Sequence, residues 1–314
     1  MLIVRIALAI GTLVAISVIV FGATQILPGN AARAKLGKQA TPAAVAALEK
    51  QLGLNRPALT QYVDWVEGLL QGHPGDSLTS GQPLWQEVGP ELRNSAFLVL
   101  VSAAISIPLS MLIGCFAAMR RDGPFDEISA FLQRAVASVP EFVIGLFLIA
   151  LFATSVFKLL PAVSIIAPGS QPWSSLSVIW LPALTLVAVV TPNIALIMRA
   201  SMIEVLESEY VEMARLKGVP EREVIIRHAL PNALGPAFQV IALNLAYLAG
   251  GVIVVESVFN YSGIGIALRD AVLNRDFPTA QLVTMIIALV YVVTNLLADV
   301  GTILVTPRLR TRMR

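Results

Sequence analysis

The sequence predicts an all-α membrane protein with six transmembrane helices, and three observations carry that reading. Of 314 residues, 56% are hydrophobic and 13% charged, with a mean hydropathy of +0.78; a soluble domain carries about 25% charge. Six apolar runs reach the roughly 20 residues that a span needs: 6–27, 94–119, 135–157, 176–198, 233–255 and 279–305. The Lys and Arg residues near the ends of these runs gather on one side, as the positive-inside rule expects.

The first run, 6–27, is free of charge and follows Arg5. It exceeds the 7–15 apolar residues of a signal peptide, so it reads as a retained span. A roughly 65-residue outer segment, 28–93, comes next; its basic residues weigh little because long loops count weakly. It is not structureless. Thr41-Pro42, a run of helix formers and then Gly53 supply an N-cap, an N1 proline and a C′ glycine. A second short helix over 59–70 places Tyr62, Trp65, Val66 and Leu69 on one face. The segment is either a cap packed on the outer ends of the spans or a docking surface for an external partner.

The remaining runs form a five-helix core, 94–305. Arg120 and Arg121 follow the second run and Arg134 precedes the third, so that connection lies inside. A polar island over 199–231 separates the fourth and fifth runs and also falls inside. The sixth run carries Asp299 and leads to a basic tail, 306–314, with Arg308, Arg310, Arg312 and Arg314. Both termini are therefore predicted to be cytoplasmic.

Composition excludes several functions. A net charge of +2 gives no nucleic-acid footprint. One cysteine, Cys115, allows neither an intramolecular disulfide nor a Cys-cluster metal site. His73 and His228 are too far apart in sequence to suggest a His-rich site, so no metal ligands are assigned. No HExxH or GxSxG run occurs, and no catalytic residue is assigned. No GxxxxGK[ST] run occurs either, so the chain has no P-loop for a nucleotide.

The island is the most informative segment. Met202, Val205, Leu206, Met213 and Leu216 fall in one stripe of a 3.6-residue period, with Glu209 intruding. Gly218 and Val219-Pro220 end that helix, and 221–229 reads as a second short helix closed by Leu230-Pro231. Five Lys and Arg residues face six Glu, which suits a protein interface better than a membrane surface.

This run resembles the EAA loop of ABC importer permeases, with Glu212, Ala214, Gly218, Leu230 and Pro231 at the family's spacing. Met213 and His228 depart from the pattern, in the manner of the branch that imports dipeptides, oligopeptides and nickel. Other segments are similar to that branch: Leu27-Pro28-Gly29 with Asn30 in place of its acid, 52–72 followed by Gly75-Asp76-Ser77, Ser138 to Phe142 with Gly145, 254–265, 273–278, and Thr306-Pro307-Arg308. The likeness covers nearly the whole chain.

The resemblance implies a type-1 ABC importer permease fold in the bacterial inner membrane. It implies that Glu212, Ala214, Gly218, Leu230 and Pro231 couple to an ATPase subunit, and that ATP and magnesium sit on that partner while this chain binds no cofactor. It also implies a second permease subunit, two ATPase subunits and an extracytoplasmic solute-binding protein. Peptides are the expected solute, with nickel or another small solute as the alternative. A secondary transporter is the rival from another class, but neither mid-membrane coupling carboxylates nor inverted repeats are evident.

Among polar residues in the spans, Glu141 and Asn244 are the candidates for the path. A carboxylate in lipid costs at least about 2–3 kcal/mol, so Glu141 should face protein or water; pairing with Arg134 is the plain structural alternative. For Asn244, as for Asn295, Asp299 and the Ser102, Ser106, Ser110 face, the plain alternative is helix packing. Ala249-Gly250-Gly251 is expected to let the fifth span approach a neighbour closely.

Overall fold

The computed structural model describes residues 2–26, 36, 41–51 and 55–305. The motif at 27–30, Leu52, Gly53 with its expected cap, Leu54 and the ending 306–314 lie outside the described residues. In chain order the helices are α1 (Leu2–Ile26), α2 (Pro42–Gln51), α3 (Ala58–Leu70), α4 (Leu84–Met119), α5 (Pro124–Ala137), α6 (Glu141–Ile149), α7 (Trp180–Leu206), α8 (Glu209–Leu216), α9 (Glu221–Glu223), α10 (Leu230–Phe259), α11 (Ile264–Leu273) and α12 (Phe277–Val305).

Among the described residues, five helices are long and apolar enough to cross a membrane; counting each of two bent pairs as a span raises the number to as many as seven. The bends reshape two segments of the chain, and the expected six lies between five and seven. The third run, 135–157, is broken: α5 meets α6 at 102°, because Pro140 forces its predecessor out of helical conformation. Residues 135–137 thus belong to the amphipathic α5, and α6 continues only through a wide turn at Ala150–Thr154. The link after the fifth run is also more than a loop. It contains α11, turned 77° from the end of α10. The 93/94 boundary between outer segment and core falls inside α4, which runs unbroken from Leu84.

Helix α7 is the hub. Buried residues make up 67% of its apolar window, against 11% for α1, so α7 sits inside the bundle and α1 on its rim. It packs against α4, α5, α6 and α10, and Leu98, Leu186, Ile194, Leu248 and Phe259 form the shared core. The α4–α7 contact is close. Ser102, Ser106 and Ser110 are fully buried on one face of α4, and the Ser102 and Ser110 hydroxyls donate to carbonyls in their own preceding turn. A Cβ on Gly114, one turn on, would come within 2.6 Å of the Ala195 carbonyl oxygen. This face is a packing surface built from small residues.

Helix α3 packs against α1 and the start of α4. The Thr41 hydroxyl accepts the Ala44 N–H at 3.3 Å and starts α2. On α3, Tyr62 and Trp65 lie 5.4 and 5.8 Å from Phe21 of α1, ring centroid to ring centroid. The Tyr62 and Ser17 hydroxyls share a 2.8 Å hydrogen bond, and Leu69 packs beside Leu84 and Val88 of α4.

A buried polar knot fixes the far end of α10. The Glu256 carboxylate, fully buried, accepts the Ser95 hydroxyl and the Gly265 N–H, the latter at 2.6 Å. The Tyr261 hydroxyl donates to the Asn94 carbonyl at 2.8 Å, and the Asn94 amide donates to the Ser262 carbonyl at 2.7 Å. Asn260 ends α10 in the left-handed region, with φ +49°, which asparagine tolerates. A Cβ on Gly263 would lie 2.1 Å from a Glu256 carboxylate oxygen, while one on Gly250 meets nothing within 4 Å. Gly263→Ala should therefore lose about 2 kcal/mol or more, seen as a lower melting temperature in detergent, and Gly250→Ala should melt like the parent. Equal melting of the two variants would refute the knot.

Candidate functional site

Two features stand out, a two-helix projection and a polar cleft. The projection corrects the single stripe expected across 202–216. Helix α7 ends at Leu206, and α8 starts afresh at Glu209. The break rephases the chain, so Val211 and Ala214 turn inward to pack with Val224, while Tyr210, Met213 and Leu216 turn outward. Met213 is 53% exposed and Leu216 75%, which leaves an apolar face without cover in this chain. Glu212 lies exposed on the same helix.

Gly218 ends the projection's first arm at φ +77°, the left-handed conformation that glycine adopts without strain. The turn is clamped by Arg215, whose guanidinium donates to both Glu221 carboxylate oxygens at 2.7 and 3.1 Å. That pair holds the Glu221 carboxyl below the usual carboxylate range. The second arm does not close at Leu230-Pro231 as expected. Residues Val224–Ala229 widen into a π-helical turn that leads straight into α10. Pro231 lacks an N–H and crowds the carbonyl four residues back; the wider turn absorbs both defects without ending the helix.

Two ionic contacts tie the base of the projection to the bundle. The Asp126 carboxylate, buried on α5, receives both Nε and Nη2 of Arg199 on α7, and Arg121 pairs with Glu207. Asp126 was missed in the sequence because a carboxylate in the first helical turn already has a sufficient reason to be there.

The cleft lies between the α5–α6 bend, α7 and α10, with a volume of about 650 Å³. It brings together Glu141 and Asn244, the two candidate path residues, and adds Asn193 and Tyr247. Glu141 does not pair with Arg134; its Oε2 accepts the Tyr247 hydroxyl at 2.6 Å. The Asn244 amide donates to the Val240 carbonyl at 2.9 Å, within its own helix. Asn295 likewise bonds the Tyr291 carbonyl, and Asp299 pairs with Arg5 of α1, so these two serve packing. Of Gly250 and Gly251, only Gly251 faces a neighbouring helix, where a Cβ would sit 3.4 Å from Glu141 Oε2 of α6. Asn193 and Tyr247 carry no sequence signal, since a lone amide and a lone phenol in apolar runs match no motif.

Comparison with known proteins agrees along the whole chain. Residues 107–311 match the family described as the binding-protein-dependent transport system inner membrane component, and residues 1–89 match its N-terminal companion. A probable peptide ABC transporter permease protein, y4tP, of Sinorhizobium fredii is 36% identical, over 98% of this chain and 97% of the relative. The glutathione transport system permease protein GsiC of Pectobacterium atrosepticum is 35% identical, over 96% and 95%. The dipeptide transport system permease protein DppB of Alkalihalophilus pseudofirmus is 31% identical, over 98% of each chain.

Proposed function

Because the chain belongs to the family of binding-protein-dependent transport system inner membrane components, we propose that it is the membrane-spanning subunit of an ATP-driven importer of short peptides. A second permease subunit completes the path, two separate ATPase subunits bind ATP and magnesium, and an extracytoplasmic binding protein delivers the solute. The chain itself carries no cofactor and catalyses no reaction. It sits in the bacterial inner membrane with both termini and the projection on the cytoplasmic side. The relatives' names, peptide, glutathione and dipeptide permeases, favour a peptide-type solute over nickel.

The observation that carries this reading is the projection, an eight-residue helix with Tyr210, Met213 and Leu216 exposed on a base fixed by Val211 and Ala214. An apolar face of this kind fits a groove on a protein partner. Glu212 and Met213 meet the ATPase, Ala214 seats the helix, Gly218 sets the turn, and Leu230-Pro231 hands motion to α10. Closure of the ATPases shifts the transporter only if their contacts differ between its two states, and that requires a stiff lever. Glu141 and Asn244 line the path within the cleft.

Tagged chain purified in mild detergent should bring down P-loop ATPases and a second multi-span permease, identified by mass spectrometry. Recovery of the chain alone, or only as copies of itself, would overturn the importer reading. In the reconstituted importer, Gly218→Val strains the turn by about 1–2 kcal/mol. Peptide uptake should fall at least tenfold while the variant still inserts and ATP is still hydrolysed. Unchanged uptake would remove the coupling role of this turn.

A further inference from the structure

Among the described residues, the Glu141 carboxylate has no positive partner. No Lys, Arg or His lines its cleft, and no ion pair among the described residues includes it. A lone carboxylate at membrane depth is costly unless something offsets it. Two features offset it in part. Glu141 is the first residue of α6, where the helix dipole favours an anion, and Tyr247 donates a hydrogen bond to Oε2. A carboxylate keeps further acceptor capacity once a single phenol has bound.

The space beside the carboxylate is kept open. A Cβ on Gly251 would sit 3.4 Å from Oε2, so any longer side chain there would press on the acid. Asn193, exposed in the cleft, and Asn244 offer amide donors and acceptors from two other helices, and Phe142, Leu243 and Val254 supply apolar wall. The volume falls in the range of small-molecule sites. One anion, two amides and apolar walls match a solute with one cationic end, amide groups and side chains.

We propose that Glu141, braced by Tyr247, forms a subsite for a primary ammonium group, the N-terminal amine of a peptide in transit. This rests on the reading of the cleft as a path for peptides. A lysine side chain offers the same ammonium chemistry, and the test separates the two sources.

The chain has one cysteine, which simplifies labelling. In the assembled importer in nanodiscs, Cys115→Ala is combined with Asn193→Cys. The introduced thiol is reacted with methanethiosulfonates of similar size, one carrying trimethylammonium and one sulfonate, and labelling of this chain is followed by mass. With Glu141 present, the cationic reagent should be favoured roughly tenfold beyond its advantage on free cysteine. Glu141→Gln should abolish that excess, and Glu141→Asp should keep most of it. Protection is then measured with glycylglycine amide, N-acetyl-lysine amide and N-acetylglycine amide. The first should slow labelling in a Glu141-dependent way, and the last should not.

A charge preference indifferent to Glu141→Gln would overturn the subsite, even in an importer shown to carry peptides. Protection by the lysine derivative alone would overturn the N-terminal assignment. A Glu141-dependent preference with no protection by any of the three would overturn the peptide reading and leave the cation subsite standing.

Discussion

Close approach of α4 and α7 along Ser102, Ser106, Ser110 and Gly114 is the constraint on which the rest of the structure depends. Lipid tails are as apolar as the helices, so burial of hydrocarbon gives little reason for two spans to associate. What draws them together is backbone proximity, which small side chains permit. At Gly114 there is no room for a methyl group between the α4 backbone and the carbonyl of Ala195. With α4 set against it, α7 becomes a fixed post inside the bundle. Three parts of the proposed machinery are mounted on that post: Asn193 lines the cleft, Arg199 anchors α5, and Leu206 leads into the projection.

The projection and the cleft are mechanically continuous. The second arm of the projection passes through its wide turn into α10 without a break, and α10 carries Asn244 and Tyr247 on the cleft wall. The Arg215–Glu221 clamp and the αL turn at Gly218 fix the angle between the two arms. At the other end of α10, Glu256, Ser95 and the Gly263–Gly265 backbone form a knot in which the Ser95 hydroxyl and the Ile264 and Gly265 N–H groups all meet acceptors. A helix held at both ends moves as a rod. The proposed coupling to an ATPase uses that stiffness, since a flexible tether would dissipate a push before it reached the cleft.

Much of this was legible in the sequence because membranes simplify the code. Length and apolarity located some long helices to within a few residues, as in the match of 6–27 and 279–305 to α1 and α12, whereas α4 begins at Leu84, well before its run at 94. Gly218 was readable as a turn because few residues tolerate its φ, and the serine face of α4 because small residues at four-residue spacing have one common use. The bend at Ser138–Pro140 was hidden, since hydropathy continues through it. The rephasing at Glu207–Ser208 was hidden because periodicity survives a break of two residues well enough to mimic one helix. The Leu230-Pro231 end was misread since proline usually stops a helix and here only widens a turn. Tyr247 could not have been linked to Glu141 from sequence, because only the fold brings positions 106 residues apart into contact.

The central claim is that the projection and the cleft wall travel together. Spin labels placed at Lys217 on the projection and at Leu243 on the cleft side of α10 test it by pulsed dipolar distance measurement in the assembled importer, with and without ATP. The account predicts one narrow distance distribution, the same in both states. A distance that changes by several ångströms with nucleotide, or that broadens, would show the projection moving on its own and would contradict the account.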